Sequence, residues 1–472
     1  MPIPVITVAQ MREWERVTWS SGTQEEQVMR KAGAAVARQA ELMTRPGDRI
    51  VFLAGKGHNG DDTAYACEAV QNRSCELLRI VDPEFSDHAL TAQLARKPAL
   101  LVDGLFGIGL NRPLAGNWMK LIENLNRAGV PILSVDVPSG LSADSGLPLD
   151  LAIRADVTLT FGAVKQGLLR ANASPFVGRL EVAEEIGLVP YPFSTEVGIS
   201  TASDFQRFPP GRPMQSNKGT FGHVAIVAGS MGYHGAAVLA ARAAQRAQPG
   251  LITVCPHEPV YLPVASQLQA AMVKPWSTDV ALPENTTAIV AGPGLAAPDL
   301  PETLRHQLRR LWMSSPLPMI LDASALLWLP EGPTPDPALR VITPHPGEAA
   351  RLLESSVTEV QRDRVGAARE LSQRWGNCHV ILKGHQTVTL QGKGEVLLNS
   401  SGNPWLGQGG SGDALAGFLG GLLAQPELQK QAMLALRYGV WEHGAAADRL
   451  RATKPSFTVE ELVDELAAGG PR

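Results

Sequence analysis

Residues Gly402–Leu423 read GNPWLGQGGSGDALAGFLGGLL: crowded glycines, then an aspartate, then an apolar run of helical length. Gly409, Gly410 and Gly412 let the backbone approach a ligand closely, and the free amides of a helix N-terminus favour an anion such as a transferring phosphoryl group. Asp413, in the first helical turn, stands beside that anion hole, placed to take a proton from an attacking hydroxyl. The plainer alternative, in which Asp413 only caps the helix and the glycines only make a turn, ranks second.

Outward from this segment, short β-rich runs alternate with Ala-rich helical stretches. GHVAIVAG, LITVCP, AIVAGPG, MILDAS, VITPHPGE and HVILKG form one series, and RIVFLAG, LLRIVD, ALLVDG, PILSVDVPSG and ADVTLTFGA form another in the first half. Both series predict βαβ units, hence two α/β domains. Between them, residues 187–218 are dense in Pro, Ser and Gly and lack periodicity, so the boundary is placed near 198, with domains 1–198 and 199–472. The 472 residues suffice for two or three domains, and 44% apolar against 19% charged residues is the balance of a globular chain. A net charge of -4 gives no overall positive field for nucleic acid or an anionic membrane. Cys67, Cys75, Cys255 and Cys378 form no CxxC pair, and neither His58 nor His385 has a His or Cys at ligand spacing, so no zinc site is expected. Arg12, Glu13, Glu15 and Arg16 interrupt any signal-like apolar run. No stretch reaches the about 18 apolar residues of a spanning helix, and a cytoplasmic location is expected.

In the first half, RIVFLA runs into Gly55, Lys56, Gly57, His58, Asn59, Gly60, Asp61 and Asp62, formally GxGxxG between strand and helix. A dinucleotide site would place a pyrophosphate there, with Asp82 reaching a ribose. Asp61 and Asp62 argue otherwise, because like charges a few ångströms apart repel by about 1 kcal/mol even in water. A cation or a hydroxyl-rich ligand suits the loop better. Asp103 in LLVDGLFGIGLNRP, and Asp136 and Ser139 in SVDVPSG, end further strands, where open parallel sheets place their ligand crevice. Asn59, Asp103 and Ser139 offer oxygen ligands to a hard cation, while Asp136 suits a ribose hydroxyl or a general base. Each aspartate could also simply cap a helix.

The loop before Asp62, DGLFGIGLNRP, VDVPSG and ADVTLTFGAVKQGLL resemble, over about residues 5 to 190, the NAD(P)HX epimerase domain of the bifunctional NAD(P)H-hydrate repair enzymes. The resemblance implies a Rossmann-like three-layer domain, potassium on Asn59, Asp103 and Ser139, and substrate contacts on His58, Asn59, Gly60, Asp61, Asp62, Gly107, Ile108, Gly109, Leu110, Asn111, Arg112, Pro113 and Asp136. Where that family has GNGNNGGDG, this chain has His58, Asp61 and Thr63 in place of an Asn and two glycines, and Arg30 stands at a usually acidic position. The extra carboxylate of Asp61 is expected to crowd the substrate phosphates.

GGSGD resembles the GxGD motif of ribokinase-like enzymes, with Ser411 in place of the usual threonine. GTFGHVAIVAGSMGYHGAAVLAARAA, AGPGL, LDASAL, VITPHPGEAARLL and VILKGHQTVT precede it in the order seen in ADP-dependent NAD(P)HX dehydratases, over about residues 217 to 450. This resemblance implies a ribokinase-like α/β domain. It puts the hydrated cofactor on Ala237, Gly294, His345 and Asp413, and the adenine nucleotide on Lys383, Gly384, His385, Gln386, Thr387 and Gly412, with Asp413 as catalytic base. From the residues alone, His345 could be merely exposed and Lys383 could meet a phosphate or only snorkel. The implied reaction is repair of NADHX and NADPHX, with ADP or ATP as co-substrate, Mg2+ and K+ as ions, and a homo-oligomeric assembly. A ribokinase-type small-molecule kinase and a non-catalytic nucleotide sensor are the rivals. The TPHPGE segment and the attached first domain speak against the first, and Asp413 against the second.

Overall fold

A computed structural model describes residues 2–335 and 338–468. The chain forms two compact units, the first of them Ile3–Thr195 and the second taking the chain from Glu196 onward.

In the first unit six strands form one all-parallel sheet, in the order Ser74–Arg79, Arg49–Ala54, Leu100–Gly104, Ile132–Val135, Val157–Phe161 and Arg179–Ala183. Alternation along each strand splits its side chains between two cores. Ile50 and Phe52 pack with Val36 and Ala40 of the helix Glu25–Leu42, whereas Val51 and Leu53 pack with Ile122 and Leu125 of the helix Gly116–Arg127. Helices therefore cover both faces, giving the expected three layers.

In the second unit seven strands run parallel, in the order Met272–Val273, Leu251–Cys255, His223–Val227, Ala288–Ala291, Met319–Leu321, Arg340–Ile342 and His379–Leu382. Val388–Gln391 then adds antiparallel, followed by Val396–Asn399 and Val197–Ser200. Segment 187–218 is thus more than a linker: a boundary at 198 would cut the strand Val197–Ser200, and Phe205 packs fully buried against Tyr438 and Trp441. A four-residue strand is too short to show periodicity, and Phe205 lies among prolines and serines.

The helix Ser411–Leu423 lies against the Ala-rich helix His234–Arg246. A Cβ on Gly417 would come within 2.0 Å of the Ala240 carbonyl oxygen, and one on Gly421 within 2.6 Å of that of Ala244. Glycine on one helix and alanine on the other let the backbones approach this closely, which fixes where the glycine loop delivers Asp413.

Candidate functional sites

In the second unit the parallel strands end along one edge, and those ends carry Gly229, Gly294, Asp322, His345 and Lys383. Asp322 Oδ1 accepts hydrogen bonds from Lys383 Nζ at 2.6 Å and Thr343 Oγ1 at 2.8 Å, and Glu348 Oε2 lies 3.9 Å from the same ammonium. Burial pulls the Lys383 ammonium down, but Asp322, Glu348 and Asp413 outweigh it and its pKa is raised. A Cβ on Gly412 would sit 3.2 Å from Lys383 Nζ, so the first turn of the helix Ser411–Leu423 lies on this ion pair. Gly410 turns the loop into that helix at φ +96°, where a Cβ would also meet Leu239 Cδ1 at 2.6 Å. Only glycine makes this turn without strain.

Asp413 accepts no hydrogen bond from a described residue, which removes support from its reading as a cap. Burial, then Asp322, pushes its carboxyl up to about 7, with Lys383 opposing and Glu348 adding. A carboxyl poised near neutrality suits a general base. Behind it, His443 Nε2 lies 3.1 Å from the Ser411 carbonyl oxygen, and burial drives that imidazole down to about 4.

His345 caps the helix Pro346–Leu352: its Nδ1 accepts from Gly347 N at 3.0 Å, and its own N–H donates to Glu348 Oε2 at 2.8 Å. An accepting Nδ1 leaves the neutral ring's proton on Nε2, on a side chain 54% exposed. The structure brings Ala237 and Gly294 together around the loop 229–233, where Ser230 Oγ donates to Gly294 O at 2.6 Å. Ala237 itself is fully buried, so its methyl group shapes the loop from below and presents no open surface. Gly384, His385, Gln386 and Thr387 make the turn between the strands His379–Leu382 and Val388–Gln391. Arg364 braces it by donating to the carbonyls of Leu382 and Lys383 at 3.0 and 3.2 Å.

The first unit holds a cavity of ≈ 580 Å³. His58, Asn59, Asp62, Gly107, Ile108, Gly109, Leu110, Asn111, Arg112 and Asp136 line it, but Gly60, Asp61 and Pro113 do not. The helix begins at His58, and neighbours on a helix point about 100° apart. Asp62 therefore turns inward, while Asp61 faces outward and pairs with Arg79 at 3.2 Å. Asp61, expected to crowd the substrate phosphates, does not line the cavity. Arg30 lies over the Tyr65 ring and pairs with Glu26.

Asn59, Asp103 and Ser139 do converge. The fully buried Asp103 accepts from Ser139 Oγ at 2.6 Å, Ser139 N at 2.9 Å and Ser134 Oγ at 2.8 Å. Burial raises its carboxyl despite those bonds. Asn59 Nδ2 donates to Phe106 O at 2.8 Å, which leaves Asn59 Oδ1 buried without a partner. An orphaned carbonyl-type oxygen beside a carboxylate and a hydroxyl is a donor set that a hard cation would complete. Asp136, at φ +65°, accepts on Oδ1 from Lys165 Nζ at 2.5 Å, Thr160 Oγ1 at 3.0 Å and Phe161 N at 3.2 Å.

Residues 224–467 match the family described as NAD(P)H-hydrate dehydratase, and residues 72–167 match that described as YjeF-related protein N-terminus. The bifunctional NAD(P)H-hydrate repair enzyme of Coxiella burnetii is 32% identical, the match covering 93% of either chain. Its namesake in Escherichia coli is 35% identical over 89% of this chain and 78% of its own. The chain belongs to the bifunctional NAD(P)H-hydrate repair enzymes. Such an enzyme joins an epimerase domain to a dehydratase domain, here the first and second units. Among solved structures, the ADP/ATP-dependent NAD(P)H-hydrate dehydratase of Bacillus subtilis, co-crystallised with ATP and Mg2+, is 31% identical with a TM-score of 0.51, covering 56% of this chain and 95% of that one. A ribokinase-like superfamily protein of Enterococcus faecalis, at 24% identity and TM-score 0.51, shares the fold.

Four residues escaped the sequence reading of this repair enzyme: Asp322, Glu348, Arg364 and Lys165. Asp322 and Glu348 stand in quoted segments, LDASAL and TPHPGE, and an acidic residue at a strand end was the available signal. Arg364 carries none, and Lys165, though inside ADVTLTFGAVKQGLL, shows its role only where the fold brings it to Asp136.

Proposed function

We propose that Asp413 is the base of a nucleotide-driven dehydration, a reading carried by its half-buried, near-neutral carboxyl at the glycine-turned helix start. Hydrated NADH or NADPH bears a hydroxyl at C6, and hydroxide is a poor leaving group. Asp413 takes the hydroxyl proton, and the oxygen attacks the terminal phosphorus of ADP while its bond to AMP breaks. The amides from Gly410 to Gly412 receive the developing charge. The N1 lone pair then expels phosphate from C6, and loss of a C5 proton restores the ring double bond. Products are NAD(P)H, AMP and phosphate. Magnesium, carried by the nucleotide, would neutralise phosphate charge, with the Asp322 and Glu348 carboxylates beside Lys383 available to it. His345, through Nε2–H, and the Gly294 loop contact the cofactor, and the turn from Lys383 to Thr387 contacts the nucleotide. ADP is favoured over ATP by family resemblance alone. In the test, purified protein receives hydrated NADH with ADP or ATP while reduced-nicotinamide absorbance is followed. No return with either nucleotide would remove this reading.

The first unit, on the same proposal, binds potassium through Asn59, Asp103 and Ser139 and interconverts the R and S hydrates in its cavity. Asp103→Ala should abolish epimerisation of the R hydrate and spare dehydration of the S form. Equal loss of both activities would sink that assignment.

A further inference from the structure

Lys165 is wholly buried, and all three hydrogen bonds of its ammonium stay at the cavity wall: Asp136 Oδ1 at 2.5 Å, Thr160 Oγ1 at 3.1 Å and Phe161 O at 3.0 Å. Three donors therefore meet on one oxygen of Asp136, counting Thr160 and the Phe161 amide. Oδ2 takes none of them, on a side chain that keeps 10% exposure and lines the cavity. The left-handed backbone at Asp136 is strained for a non-glycine residue, so the surroundings hold this carboxylate where local preference would not. Also lining the cavity is Asp62, whose Oδ1 is buried and unpartnered. Of the four carboxyl groups that line the cavity, Glu15, Glu25, Asp62 and Asp136, the last two stand in opposite circumstances: Asp136 is tied to a buried ammonium, and Asp62 accepts no hydrogen bond from a described residue.

We infer that Lys165 is a positioning residue that holds Asp136 as the base of epimerisation, with Asp62 as the acid, an inference that rests on the cavity being the epimerase site. Asp136 Oδ2 takes the proton of the C6 hydroxyl. The freed electron pair makes C6=O, and the C6–N1 bond breaks with its pair on N1, which takes the proton of the Asp62 carboxyl. The open-chain aldehyde turns about C5–C6 and presents its other face. N1 then re-attacks C6, its proton returns to Asp62, and the alkoxide recovers the proton from Asp136. Nothing is consumed and only the configuration at C6 changes. Burial, and next the charge of Asp136, raise the Asp62 carboxyl well above the usual range, which suits a proton donor.

The test compares the full-length protein with Lys165→Met, Lys165→Gln and Asp136→Asn. Epimerisation of the R hydrate is read by coupling to the chain's own ADP-driven dehydration. Loss of a positioned base lowers kcat by about 100-fold or more. That fall is expected in all three variants, with KM within about threefold, because binding across the cavity does not depend on one ammonium. Adding Lys165→Met to Asp136→Asn should lower kcat no further, since the two act as a unit. Dehydration of the S hydrate should stay unchanged. Lys165→Gln keeps a donor without the charge and reports should the Met variant fail to fold. A kcat within threefold of the unmutated protein in either Lys165 variant overturns the inference, as does a loss confined to KM. An unmutated protein that leaves the R hydrate untouched overturns the epimerase reading of the cavity itself.

Discussion

Asp413 is held in the first turn of a helix that its own loop caps through Gly410, so its carboxylate is free for chemistry. Asp413→Asn keeps the size and removes the base, and dehydration should fall by about a hundred- to ten-thousand-fold. The phosphate cradle is backbone, so ADP affinity by calorimetry should hold or rise slightly. A folded variant that still repairs the S hydrate at near the original rate would leave Asp413 without a chemical role. The same residue sets a pH dependence. A base raised to about 7 is protonated and idle below that value, so kcat/KM for dehydration should climb through pH about 7 and level off above it. Lys383 is the neighbouring charge that holds this carboxyl down, against burial, Asp322 and Glu348. Lys383→Met should therefore carry the acid limb to higher pH. An acid limb in the ordinary carboxylate range would contradict the assignment.

At the scale of elements, the glycines of the helix Ser411–Leu423 do different jobs from those of its loop. Gly417→Ala would drive a methyl group into the Ala240 carbonyl, and overpacking of this kind costs about 1–3 kcal/mol or more. Its denaturation midpoint should drop clearly. Gly409→Ala meets nothing within 4 Å and should leave the midpoint near that of the unmutated chain. Equal effects would mean that the helix contact does not govern stability. These elements were legible because apolar runs at strand and helix lengths, punctuated by glycine, report a buried parallel sheet directly. Strand ends likewise marked Asp103, Asp136, Ser139 and Lys383, and the glycine loop before a helix marked Asp413. The direction of a side chain was less legible: in sequence Asp61 and Asp62 are neighbours of one kind, and only a helix starting at His58 separates them. Lys165 was hidden for a related reason, since its meaning lies in Asp136, to which the fold brings it.

Across the whole molecule the two units carry opposite kinds of buried titratable group. In the first, burial raises the carboxyls of Glu15, Asp62 and Asp103. Above the unfolded carboxylate value of about 4 the native unit then holds protons that the unfolded chain has released, so its stability rises as pH falls toward that value. In the second unit burial lowers His379 and His443, each to about 4. These imidazoles stay neutral when folded, whereas the unfolded chain protonates them below pH about 6.5. Their contribution is full above that pH and is lost as it falls toward 4, on the order of 3 kcal/mol each for His379 and His443. Asp413, raised to about 7, offsets part of this, but one carboxyl stands against two histidines. Acidification from pH about 7 to 5 should therefore strengthen the first unit and weaken the second. Native-state hydrogen exchange, corrected for the intrinsic pH dependence of amide exchange, reads each unit separately. Potassium supplies a control within the same experiment. A cation held by Asp103 favours its ionised form, so added potassium should stabilise the first unit most at neutral pH and flatten its gain on acidification. Parallel loss of protection in both units on acidification, with or without potassium, would show that the buried carboxyls do not control the first unit's stability.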